Sequence, residues 1–83
     1  MNLKNNIAIS DSGFVFNPSS GESFSVNQIG LEMLNMLRQK FTTEDIVTHI
    51  EKGFQAERPT IERDLNDFID MMNQYHLMQD EDE

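Results

Sequence analysis

The apolar pattern of this chain changes period at Asn27. Before that point Ser23-Phe24-Ser25-Val26 alternates polar and apolar residues with period two, which marks a half-buried strand with Phe24 and Val26 on one face. Directly after it, "QIGLEMLNMLRQK" carries Ile29, Met33, Met36 and Leu37 as one apolar stripe at helical spacing. A strand that passes into a helix with no loop between them needs a joint. Asn27 suits it, because its side-chain oxygen can accept a bond from the first free amides of the helix.

The chain N-terminal to the joint reads as β structure. Ile7 to Ser10 and Phe14 to Asn17 are short strand-like runs, and Asp11-Ser12-Gly13 between them has the chemistry of a hairpin turn. Pro18-Ser19-Ser20-Gly21 then turns the chain into the third strand.

C-terminal to the joint it reads as helix. Thr42 or Thr43 opens a second helix, with Glu44 and Asp45 in the first turn, where the helix dipole favours negative charge. Ile46, Val47 and Ile50 face inward, and Gly53 is the expected stop. The third helix lies in "ERPTIERDLNDFIDMMNQYHL", with Pro59 near its start and Ile61, Leu65, Phe68 and Met72 on its core face. The expectation is an α+β unit of three N-terminal strands followed by three helices, an order compatible with a winged-helix-like domain. At 83 residues this is one domain over 1–83, with a core from about 7 to 78 and a solvated acidic tail at 79–83.

Charge narrows the function. Fifteen acidic residues against six basic ones leave a formal net charge of −9. That balance argues against nucleic acid as a partner, since phosphate affinity depends on Lys and Arg displacing condensed counterions. Nine acidic and two basic side chains fall between Glu57 and Glu83. The absence of cysteine removes disulfides, thiolate chemistry and an iron–sulfur cluster held by this chain. Residues 1–10 contain no long apolar run, so neither a signal peptide nor a membrane span is expected, and a cytoplasmic location follows.

No residue pattern supports catalysis, a metal or a cofactor. His49 and His76 are not spaced as two ligands on one helical face. Ser19, Ser20, Ser23 and Ser25 lack the G-x-S-x-G elbow that exposes a nucleophile. Asp64, Asp67 and Asp70 recur every third residue and read as a solvated face, while the four glycines open no phosphate-binding loop.

The element order, together with "FVFNPSSGESFSVNQIGLEML", "TTEDIV" and "RDLNDFIDMMNQYHLM", resembles the PqqD family of pyrroloquinoline quinone synthesis, the module also called the RiPP recognition element. The likeness covers roughly residues 7 to 78. Asp64, Leu65, Phe68, Ile69, Met72 and Leu77 fall on the family's pattern, while His76 stands where the family has glycine, which puts the closing turn in question. The resemblance implies a non-catalytic adaptor. The leader of a ribosomally made precursor peptide would add as a strand along the third strand, beside the third helix, and be presented to a modifying enzyme of the radical S-adenosylmethionine type.

By that resemblance Ser23, Phe24, Ser25 and Val26 form the docking strand. A helical wheel puts Asp64, Asp67 and Met71 on one flank of the third helix and Glu62 and Ile69 on the other; the first flank is the expected wall of the groove. Met71 also suits the rim of the core, and Phe24 and Val26 also suit the core itself. Which alternate amides of the strand face outward depends on hairpin register and stays open. Two other functions fit the same elements: a winged-helix-type regulator, against which charge argues, and a self-associating structural module whose edge pairs into a homodimer.

Overall fold

Gly13 and Val26 show how tightly the sheet is drawn together. In a computed structural model that describes residues 3–78, Gly13 has φ +92°, and a side chain there would meet the Val26 carbonyl oxygen at 2.4 Å. Only glycine fits that position. It closes the hairpin between β1 (Ala8–Ile9) and β2 (Phe14–Asn17), and across it the Val26 amide donates to the Gly13 carbonyl at 2.8 Å. The second turn is held by Asn17, which is buried, accepts from the Ser19 amide through its side chain and receives the Gly21 amide on its carbonyl. It leads into β3 (Glu22–Ser25).

The three strands form one antiparallel sheet in the order β1-β2-β3, so β3 is an edge. Val15, fully buried, anchors the sheet to the core. Phe14 and Phe16 project from the opposite face and stay exposed.

Asn27 caps α1 (Gln28–Arg38) through a 2.8 Å bond from the Gly30 amide to its side-chain oxygen. Leu31, Met33, Leu34 and Leu37 are buried on this helix, while Ile29 and Met36 of the expected stripe are only half-buried. Thr42 caps α2 (Thr43–Phe54) in a reciprocal arrangement with Asp45, and Ile46, Val47 and Ile50 point into the core as their spacing requires. Gly53 does not end this helix. It is exposed and helical, and the chain turns at Gln55, in the left-handed conformation at φ 53°.

Helix α3 (Arg58–Gln74) has Pro59 in its first turn, where a missing amide hydrogen costs nothing. Its buried residues are Ile61, Leu65, Ile69 and Met72, so Ile69 belongs to the core and not to an outer flank, and Phe68 is half-buried beside it. The core stripe is rotated because α3 packs against α2 as well as against the core behind the sheet, which widens its buried face toward residue 69. Leu3 and Met78, both buried, pair as a bridge, and the Lys4 amide donates to the Leu77 carbonyl at 2.9 Å. The expected acidic tail, residues 79–83, lies outside the described residues.

His76 takes the left-handed conformation itself, at φ 59°. Its amide reaches the Asn73 carbonyl and the Leu77 amide reaches the Met72 carbonyl, at 3.1 and 3.0 Å, which is the bond pair of a Schellman stop. Leu77 then packs with Met72, both fully buried, and that apolar contact carries the turn. Left-handed geometry still costs a histidine energy that glycine does not spend. His76→Gly is expected to stabilise the fold by about 0.5–1 kcal/mol and raise Tm by about 3–5 °C. Thermal unfolding followed by circular dichroism checks it; an unchanged or lower Tm would show that the His76 side chain makes a compensating contact.

Candidate functional site

The sheet has two edges, the two-residue β1 and the four-residue β3, and the free side of β3 lies beside α3 with its backbone groups lacking a strand partner. Which groups those are follows from the register. Ser10 donates to the Phe14 carbonyl at 2.9 Å, so the backbone groups of Phe14, and of Phe16 two residues on, are turned toward β1. Those of Gly13, Val15 and Asn17 therefore face β3. The Val26 amide on the Gly13 carbonyl agrees, and by alternation Phe24 pairs with Val15 and Glu22 with Asn17. The amides and carbonyls of Ser23 and Ser25 point the other way, out of the sheet.

Side chains alternate about a second axis. Phe24 and Val26 lean to the core side and are half-buried, and Phe24 stacks on Tyr75 at the end of α3 with ring centroids 5.3 Å apart and planes at 24°. Ser23 and Ser25 are exposed on the opposite face, beside Phe16 and Phe14.

A groove of about 430 Å³ opens between the end of β3 and α3. Ser25 and Val26 form one side, Asp64, Asp67 and Met71 the other, and Ile29, Gly30, Met33 and Phe68 line the floor. Gly30 sets its depth: a methyl group there would lie 3.1 Å from Val26 Cβ and 3.5 Å from the Phe68 ring. Asp64 and Asp67 are exposed. Arg63 Nε lies 3.7 Å from Asp64 Oδ1 at the surface, and among the described residues no cation forms an ion pair with Asp67.

Five of the seven residues singled out from the sequence thus meet around one groove: Ser25, Val26, Asp64, Asp67 and Met71. Ser23 and Phe24 belong to the same strand but not to the groove lining; Ser23 contributes outward backbone groups and Phe24 the aromatic stack. Ile29, Gly30, Met33 and Phe68 in the lining, and Tyr75 in the stack beyond it, were not expected at the site. Of these, Ile29, Met33 and Phe68 read as core residues because the floor of an apolar groove has the same spacing as a core stripe.

Glu62, on the rejected flank of α3, lines a separate concavity with Thr43 and Glu44 of α2. Among the described residues no group of three or more His, Cys, Asp or Glu side chains could hold a metal ion, and no helix is long and apolar enough to cross a membrane. His49 and His76 are both exposed, with His49 Nε2 3.0 Å from Glu32 across α1 and α2. A larger hollow of about 730 Å³ lies between those two helices, around Met36 and Phe41, but it adjoins no open strand edge.

Comparison with solved structures finds the same fold in two complexes. One, "TbiB1 in Complex with the TbiA(beta) Leader Peptide", is 26% identical with a TM-score of 0.84 over 95% of both chains. The other, "Lasso peptide synthetase B1 complexed with the leader peptide", is 20% identical with a TM-score of 0.78 over 93% of both chains, a likeness of fold. No curated protein matches the chain. The family model for coenzyme PQQ synthesis protein D (PqqD) matches residues 13–78, from the glycine that closes the first hairpin to the methionine that pairs with Leu3. That span includes β2, β3 and all three helices, and the chain belongs to the PqqD family.

Proposed function

We propose that this chain is a peptide-binding adaptor that captures the leader of a ribosomally made precursor by strand addition at β3 and presents it to a modifying enzyme. The observation that carries the proposal is the edge itself: Ser23 and Ser25 turn their backbone groups outward directly beside a groove with an apolar floor. An added strand would satisfy those groups, and its alternate side chains would enter the groove. The two similar structures, each a complex with a leader peptide, support this reading.

Presentation rather than chemistry fits the side chains available. Holding the leader raises the effective concentration of the attached core peptide at the enzyme, with no reaction on the adaptor itself. Pyrroloquinoline quinone synthesis, with a radical S-adenosylmethionine enzyme as partner, is the pathway to which the family name points. Such an adaptor would work in the cytoplasm, where the precursor is made.

The test is calorimetric titration of the leader segment of a short peptide encoded beside this gene, at two salt concentrations, into wild-type protein and into a variant carrying Asp64→Asn and Asp67→Asn. Saturable binding to the wild type is expected. The double variant should lose about 1 kcal/mol at low salt and less at high salt, as exposed charge pairs do. Absence of saturable binding to the wild type would reject the adaptor.

A further inference from the structure

The groove has a direction. Phe24 meets Tyr75 at one end, while Ser25 and Val26 meet Asp64, Asp67, Phe68 and Met71 toward the other, so β3 and α3 run in opposite senses along it. Charge is distributed unevenly over that length. Asp64 and Asp67 stand together at the Val26 end; Arg63, the cation near Asp64, is not part of the lining. At the Tyr75 end the strand begins with one carboxylate, Glu22, and Lys4 is held next to Leu77 through its backbone.

Every pairing in the sheet is antiparallel, and a further strand pairs most favourably in the same sense. A peptide added antiparallel to β3 travels in the direction of α3. Its earlier residues lie against Asp64 and Asp67, its next ones over Phe68 and Met71, and its later ones pass Phe24 and Tyr75. From Asp64 to Met71 the helix advances about 10 Å, which an extended strand covers in about three residues. Side chains on one face of a strand recur at even spacing, so the matching positions on the peptide are two or four residues apart.

We infer that the groove reads an ordered pair: a Lys or Arg two or four residues N-terminal to a large apolar side chain, the basic residue paired with Asp64 and Asp67 and the apolar one seated on Phe68 and Met71. This specificity rests on strand addition at β3, and it orients the bound peptide, sending its C-terminal continuation out past Tyr75. Asp64 and Asp67 are then specificity-determining residues, and their removal changes which peptides bind more than it changes the fold.

Selection from a displayed library of random 12-residue peptides tests this, using four immobilised proteins: wild type, the Asp64→Asn, Asp67→Asn double variant, Ser23→Pro and Ser25→Pro. Peptides enriched on the wild type should carry a basic residue two or four positions before an apolar one. Synthetic copies with that order reversed should bind about fivefold more weakly, and the double variant should abolish the difference. Enriched peptides that fail on both proline variants but show no basic bias, or show it C-terminal to the apolar residue, would overturn the ordered pair and leave strand addition standing. If the wild type enriches no peptide, or both proline variants enrich the same ones, strand addition and the ordered pair fall together.

Discussion

Proline at Ser25 is expected to remove leader binding and leave the fold standing, whereas proline at the neighbouring Phe24 is expected to do the reverse. The difference comes from which way each amide points. Ser25 lies opposite Phe14, whose backbone groups are committed to β1, so its own amide bonds nothing in β2. Replacing it by proline deletes a donor that only an incoming strand would use and puts ring atoms where that strand must lie. Leaving a peptide carbonyl unpaired costs about 2 kcal/mol or more, a thirtyfold loss of affinity at least, and Ser23→Pro should behave alike. Phe24 pairs with the fully buried Val15 and stacks on Tyr75. Phe24→Pro strands a buried carbonyl and removes the aromatic contact, a loss of about 3 kcal/mol or more from a fold of this size. Val26→Pro breaks the bond to Gly13 and should also destabilise. Melting temperature and leader affinity measured for all four variants decide the matter. If no variant loses affinity while keeping its Tm, β3 is not the docking edge.

A second pair of variants separates core from groove on adjacent residues of α3. Ile69 is 8% exposed and belongs to the central cluster, so Ile69→Ala should cost about 2–4 kcal/mol and lower Tm by 10 °C or more. Phe68 is half-buried and lines the groove floor near Gly30. Phe68→Ala should cost less stability, about 1–2 kcal/mol, and lower leader affinity more than tenfold by removing an apolar seat. Denaturant unfolding and calorimetry on both variants check this. Should Phe68→Ala bind the leader as wild type does, the peptide does not reach the floor.

Those two residues also show what the sequence can and cannot settle. A helical wheel places Phe68 within the apolar stripe and Ile69 on its flank, because periodicity records only the helix's own residues. The stripe's true centre depends on what packs from each side, and the contact with α2 turns it toward Ile69. Helix starts were legible because Asn27 and Thr42 act through their own side-chain oxygens. Helix ends were not. Lys40, Gln55 and His76 all adopt the left-handed conformation that glycine would advertise, at φ 69°, 53° and 59°, while the one glycine that looked like a stop, Gly53, lies inside a helix. At Lys40 and His76 the turn is imposed by backbone bonds from the next residue back into the helix, which no residue type announces. Helical geometry put Asp64, Asp67 and Met71 together on one flank of α3, but that a flank of this helix walls the strand's groove came from the resemblance, and the wheel alone did not choose between the two flanks. The outward direction of Ser23 and Ser25 was not legible, since it depends on the Ser10 to Phe14 bond one hairpin away.

The open edge of β3 also bears on how the protein behaves when nothing occupies it. An unpaired strand is a template for any extended segment, including the same strand of another molecule, and sheet proteins that keep such an edge are prone to clump. Two copies brought edge to edge would each carry a net charge of −9, so their approach is opposed by like-charge repulsion. Asp64 and Asp67, exposed on the wall beside that edge, belong to the same acidic surface, which would repel a like-charged copy and attract a strand of opposite charge. Screening that repulsion with concentrated salt removes the guard while leaving the edge in place, so storage conditions for the isolated protein follow from its charge.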